Sequence, residues 1–208
     1  EISAAFNIAV ENFMDVWYNK PNKMRDGGLT MKKTLIVVDM QNDFITMALG
    51  TKEAVAIVPK VREKIQEYAQ NGDEIIFTRD THFENYLDTT EGKHLPVPHC
   101  IKGTKGWEIA NGLYVEGAKI IDKPNFGWPH WDEETLESVE LIGLCTDICV
   151  ISNALILRAA YPNAAIMVIA DACAGTTPEA HKMALEIMRH NHIIVCFLIV
   201  FCIKLNPT

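Results

Sequence analysis

The feature that most constrains this chain is the alternation of short, continuous apolar runs with stretches of helical spacing. Residues 34–39 form an apolar run, residues 53–70 carry apolar side chains at helical intervals, and residues 74–78 are apolar again. Unbroken apolar runs of this length suit strands buried on both faces, and a strand, helix, strand order suits a parallel crossover unit. Further strands are predicted at 118–122, 139–144 and 164–170, with helices at 147–160 and 178–189. The pattern implies an α/β fold: a doubly wound, mostly parallel sheet with helices on both faces.

A chain of 208 residues is long enough for one full core. Residues 31–208 are predicted to form that domain, with Met31 reading as its natural start. Residues 1–30 read as an extension, either non-native or a peripheral helix, because Ala5, Ile8, Phe13, Met14 and Trp17 fall on one helical face before a turn-rich stretch. A net charge of −8 and the lack of a basic run interleaved with aromatics argue against nucleic acid as a partner. The longest apolar run, residues 193–203, has 11 residues where a membrane-spanning helix needs about 20. It is predicted to be a buried strand, and no membrane partner is expected. No export signal opens the chain, and the six cysteines lack the dense spacing of a secreted disulfide scaffold, so reduced thiols in a cytoplasm are expected.

In open parallel sheets, ligands bind beyond the carboxyl ends of the strands. Asp39 ends the first predicted strand, Asp80 and His82 follow the second, Lys123 follows the third, and Cys149 opens the helix after the fourth. Cys149 at a first helical turn sits where free N–H groups favour a thiolate, although a small buried cysteine is also an ordinary core residue. A carboxylate at the end of an apolar strand is costly unless paired or functional, so Asp39 is a candidate acid/base, while Asp43 lies deeper in the loop and suits a capping role. Lys123 is either a surface lysine or the cation of this group. Together the three have the logic of an activated nucleophile.

Three ordered motifs carry a resemblance: Val-Asp39-Met-Gln-Asn-Asp-Phe44, Lys123-Pro-Asn-Phe-Gly and Gly143-Leu-Cys-Thr-Asp-Ile-Cys149-Val. They resemble the isochorismatase-like cysteine hydrolase superfamily over residues 33–188. The resemblance implies a six-stranded parallel sheet and a catalytic Asp39, Lys123 and Cys149, with the thiolate attacking an amide carbonyl to form a thioester. It also implies a cis peptide before Cys145, with the backbone N–H groups of Cys145 and Cys149 forming an oxyanion hole. The branch named for isochorismatase lacks the nucleophilic cysteine, so Cys149 favours an amidase.

Asp80-Thr-His82, Glu91 and His99 offer two imidazoles and two carboxylates, a donor set suited to Zn²⁺, Fe²⁺ or Mn²⁺. Each histidine taken alone could equally be a solvated loop residue. The set is similar to the metal loop of the nicotinamidase/pyrazinamidase branch, where the variable ligand is a glutamate or a histidine; Glu91 fits that spacing better than His94. Phe44 and Phe126 are candidate substrate-binding rings, with core packing as the competing role. Pro96 departs from the branch, which often carries an aromatic there.

The expected function is therefore conversion of nicotinamide to nicotinate and ammonia, a step of NAD salvage, with Zn²⁺ the first choice of metal and a small aromatic amide as partner. The alternatives are another amidase or ureido-hydrolase of the superfamily, or a catalytically silent binding or assembly module. The apolar C-terminal stretch and the resemblance both point to a homo-oligomer.

Overall fold

The structure, a computed structural model, describes residues 33–198. The extension predicted over residues 1–30 lies outside the described residues, as does the apolar stretch beyond residue 198.

The strands are β1 (Lys33–Val38), β2 (Glu74–Asp80), β3 (Lys119–Lys123), β4 (Ser138–Leu144), β5 (Ala165–Ala174) and β6 (Ile194–Cys196). They pair in parallel in the order β3-β2-β1-β4-β5-β6, a six-stranded sheet. The helices are α1 (Asn42–Ile45), α2 (Lys52–Asn71), α3 (Thr90–His94), α4 (Ile151–Ala160) and α5 (Pro178–His190). Side-chain alternation shows that both faces are covered. Val139 and Leu141 pack into one apolar cluster with Ala154 and Leu157 of α4 and with Leu185 and Met188 of α5. Glu140 between them points to the opposite face. There it meets Lys64 of α2 at 2.8 Å. This double burial is why β1 and β4 read as unbroken apolar runs, each such side chain contributing about 1.5–3 kcal/mol.

β1 pairs with β2 on one side and β4 on the other, so the chain reverses its direction of travel across the sheet between these strands. The carboxyl ends of β1 and β4 thus flank the crevice where such sheets bind ligands. The two strand ends approach closely: a Cβ on Gly143 would lie 2.1 Å from the Val38 carbonyl oxygen, and Gly143 has φ +119°. Only glycine allows β4 to pass so near Asp39.

Three elements differ from expectation. Within the described residues the last strand is Ile194–Cys196, and Leu198 N–H bonds the Asp171 side chain; residues 199–203 of the predicted strand lie outside the described residues. β5 runs on to Ala174 past an irregularity opposite residues 141–143 of β4. The helix predicted from residue 147 begins as a wider turn, Thr146–Val150, in which Val150 N–H bonds the Cys145 carbonyl at 3.1 Å, five residues back. Regular α4 starts only at Ile151. Such one-turn widenings are frequent at functional sites. Among the described residues no helix is long and apolar enough to cross a membrane.

Candidate active site

Asp39, Lys123 and Cys149 meet where the sequence places their strands. Asp39 is the first residue past β1, has φ +48°, and is fully buried. A left-handed backbone is uncommon outside glycine, and aspartate tolerates it better than most residues. The Thr78 hydroxyl donates to Asp39 Oδ1 at 2.7 Å, and Lys123 Nζ lies 2.6 Å from Oδ2. Lys123 closes β3, is fully buried, and points its ammonium also at the Asn125 carbonyl (3.1 Å) and Cys149 Sγ (3.6 Å). A solvated surface lysine is thereby excluded. The peptide bond between Leu144 and Cys145 is cis, as the resemblance implied.

Burial dominates the protonation of this group. It pushes the Cys149 thiol well above its ordinary value; Lys123 opposes the shift, while Asp39 and Asp80 add to it. Burial therefore works against the thiolate that the helix N–H groups and Lys123 favour. Burial likewise raises Asp39 above the usual carboxylate range despite Lys123. Burial alone would lower Lys123, but Asp39, Cys149 and Asp80 carry it above its ordinary value. A carboxylate, a sulfur and a fixed cation in this arrangement can move one proton from sulfur to carboxylate as the sulfur attacks.

The second constellation is Asp80, His82, Glu91 and His99, whose ligand atoms all lie within 4.8 Å of one another. His82 Nε2 is 2.9 Å from Asp80 Oδ2 and 3.5 Å from Glu91 Oε1; His99 Nε2 is 3.5 Å and 3.6 Å from the same two oxygens. Tetrahedral ligands held about 2.0–2.2 Å from one zinc sit roughly 3.4 Å apart, so these four separations suit donors gathered around one ion. The ring N–H of His99 at Nδ1 donates to the Val97 carbonyl at 2.8 Å, leaving Nε2 as the lone-pair donor. His82 Nε2 is buried and faces the carboxylate oxygens of Asp80 and Glu91, an arrangement suited to a shared cation. Burial opposes charge on His82, but Asp80 and Glu91 raise it to about 9. Burial would raise Asp80, yet His82, His99 and Lys123 hold it below the usual carboxylate range. His94 stands apart, exposed, with its Nδ1 against the Thr90 carbonyl. Glu91, and not His94, joins the cluster.

The two groups share a wall. Asp80 offers Oδ2 to the histidines, while its Oδ1 lies 3.5 Å from Lys123 Nζ. Cys149, Asp80, Glu91 and His99 line one cavity of about 680 Å³, with Phe44 and Phe126 among its apolar walls. Phe44 is buried and meets the His99 ring edge-on at 5.5 Å, so its core and lining roles coincide. Phe126 is 43% exposed at the mouth, which rules out core packing. Pro96 is exposed, and its neighbour Leu95 lines the cavity instead.

Three supporting residues escaped the sequence reading. Gln41 pairs with the backbone of Asp80, accepting from its N–H at 2.7 Å and donating to its carbonyl at 2.9 Å, and donates again to the Trp107 carbonyl. It fixes the carboxylate that both groups share. Asn153, one turn past Cys149, donates to the Cys149 carbonyl at 2.8 Å and accepts from Trp128 N–H and Trp131 Nε1. Thr78 anchors Asp39. Only Asn153 left a signal, as a fully polar residue among the apolar ones of α4.

With this geometry in place, comparison with known proteins is decisive at the level of family. The isochorismatase domain model matches residues 33–197. This chain belongs to the isochorismatase family. Within the family it is 26% identical over 188 residues to the nicotinamidase/pyrazinamidase of Mycobacterium tuberculosis, covering 79% of this chain and 98% of that one. A zinc complex of Pyrococcus horikoshii pyrazinamidase is 31% identical with a TM-score of 0.69, covering 80% and 99% of the two chains. The N-carbamoylsarcosine amidase of Thermoplasma acidophilum is 28% identical with a TM-score of 0.68, covering 80% and 96%. An isochorismatase-family hydrolase with amidase relatives is the shared denominator.

Proposed function

We propose that this protein is a nicotinamide amidohydrolase that works through a thioester on Cys149. The observation that carries the reading is the single cavity onto which Cys149 and the Asp80, Glu91 and His99 donors all open. In the proposed cycle Asp39 takes the Cys149 proton as sulfur attacks the carboxamide carbon. The N–H groups of Cys145 and Cys149 hold the resulting oxyanion. Asp39 then returns the proton to the leaving nitrogen, and ammonia departs as the thioester forms. A water gives its proton to Asp39, attacks the thioester carbon, and releases nicotinate as sulfur regains a proton. Lys123 stays charged throughout, holding Asp39 in place and offsetting negative charge on sulfur.

Asp80, His82, Glu91 and His99 would hold a divalent ion, with zinc preferred by their two imidazoles and two carboxylates. When bound, it supplies a Lewis-acid anchor for the ring nitrogen of the substrate. Phe44 and Phe126 flank the ring. The cytoplasmic setting, the place in NAD salvage and a homo-oligomeric state belong to this proposal.

Its relatives include an N-carbamoylsarcosine amidase, so a ureido substrate is the second reading. Ammonia release from nicotinamide, pyrazinamide and N-carbamoyl amino acids, each with and without chelator, separates the two. The proposal expects the pyridine and pyrazine amides to be turned over and chelation to suppress it. Turnover of carbamoyl compounds alone, indifferent to chelator, would replace it with the second reading.

A further inference from the structure

The turn that carries the thiol is braced by α5 and by the loop that leads into it. Thr146 is fully buried, and its hydroxyl lies 2.8 Å from Nδ1 of His181 on α5. The next residue, Asp147, accepts from Thr176 N–H at 2.8 Å and from the Thr176 hydroxyl. Gly175 is wedged between the two contacts: a Cβ there would lie 2.8 Å from Asp147 Oδ1 and 2.9 Å from His181 Cβ. On the other side of the turn, Asn153 Nδ2 holds the Cys149 carbonyl. Thr146, Asp147 and Cys149 are thus each tied to a neighbour by a side-chain contact.

His181 is half-buried and does not line the cavity. It therefore has no contact through which to hold substrate. Its bond reaches the one residue between Cys145 and Asp147, inside the wide turn whose Cys145 carbonyl accepts from both Ile148 and Val150 N–H. A turn with a five-residue reach is rare, and this one is held by side-chain contacts from outside it. Small displacements of a nucleophile or an oxyanion donor are costly to rate while leaving ground-state binding intact.

We propose that His181 is a positioning residue for the nucleophile turn. Through Thr146, and alongside the Asp147 to Thr176 contact, it ties residues 145–149 to the start of α5 and so keeps the Cys149 sulfur and the Cys145 and Cys149 N–H groups in register. This role rests on the amidase reading of the site. A histidine that merely satisfies a buried hydroxyl would affect folding and nothing else.

The test uses the full chain and the variants His181→Ala, His181→Asn, Thr146→Val and the double variant His181→Ala/Thr146→Val. Asparagine can place a polar group near the position of Nδ1. Four readouts are taken: kcat and KM for nicotinamide, the iodoacetamide labelling rate of the Cys149 peptide by mass spectrometry, and the thermal midpoint. His181→Ala is expected to lower kcat about tenfold with KM within roughly twofold, a scale set by misplacement rather than lost binding. His181→Asn should recover most of kcat, and the double variant should be no worse than either single one. The Cys149 labelling rate should move about threefold or more in His181→Ala and return in His181→Asn. A folded His181→Ala with kcat and labelling unchanged would overturn the role, as would additive losses in the double variant. Should His181→Ala not fold, Thr146→Val and His181→Asn carry the same contrast. If the parent hydrolyses no nicotinamide, the amidase reading fails by itself, and the labelling rates still decide whether His181 shapes the turn.

Discussion

Two lysines in this fold are buried against carboxylates, and they differ in every other respect. Lys123 sits 2.6 Å from Asp39 and Lys64 sits 2.8 Å from Glu140, with all four side chains almost wholly out of solvent. Lys64 also faces Glu67 at 3.1 Å and lies 5.5 Å from the Tyr68 ring, between a helix and the sheet. Lys123 has a thiol at 3.6 Å, a second carboxylate at 3.5 Å, and a partner held at φ +48° beside a cavity. A buried ion pair is thus no mark of a site by itself. The third reactive group, the backbone departure and the access of a ligand mark it.

The largest effect expected is on Cys149→Ala, which should lower amide turnover at least about a thousandfold while shifting the thermal midpoint little. Asp39→Asn should cost about 10²–10⁴ in kcat, the scale of a lost general acid and base. The comparison between the lysines is sharpened by Lys123→Met and Lys64→Met. Each strips a buried carboxylate of its cation and should destabilise by about 3–5 kcal/mol in denaturant titrations. Only Lys123→Met should also abolish turnover; Lys64→Met, assayed per folded molecule, should keep kcat within about twofold. Adding Glu140→Leu to Lys64→Met should restore stability, because well-packed apolar residues replace such a pair at little cost. Equal activity losses in the two lysine variants would break the distinction. Chelation should reduce turnover of nicotinamide about tenfold or more, with recovery on adding zinc or manganese. Phe126→Ala, at the cavity mouth, should raise KM severalfold and leave kcat nearly intact, in line with a ring contact of about 0.5–1.5 kcal/mol.

The same contrast explains what could be seen in the sequence. Strands buried on both faces announce themselves as apolar runs, so β1, β2 and β4 and the residues at their ends were legible. Asp39, Lys123 and the Asp80 and His82 pair follow from that register. Glu140 hides inside such a run, and its partner Lys64 sits on a helix where Glu67 offers an ordinary surface pairing. Gln41 and Thr78 were illegible for a related reason: their partners come from segments about 39 residues away, and nothing local distinguishes them from loop and strand polar groups. The wide turn at Thr146–Val150 depends on which amide reaches the Cys145 carbonyl, a choice that helical spacing does not encode. Nor does spacing reveal that the Asp171 side chain of β5 accepts from the Leu198 N–H just past β6.

A covalent thioester at Cys149 is tested most directly by acid-quenched intact-mass and peptide-mass measurement during nicotinamide turnover. A nicotinoyl adduct on the Cys149 peptide is expected to appear in the first turnover, decay as nicotinate forms, and be missing from Cys149→Ala. Undiminished ammonia release by Cys149→Ala, with no adduct on the parent, would contradict it.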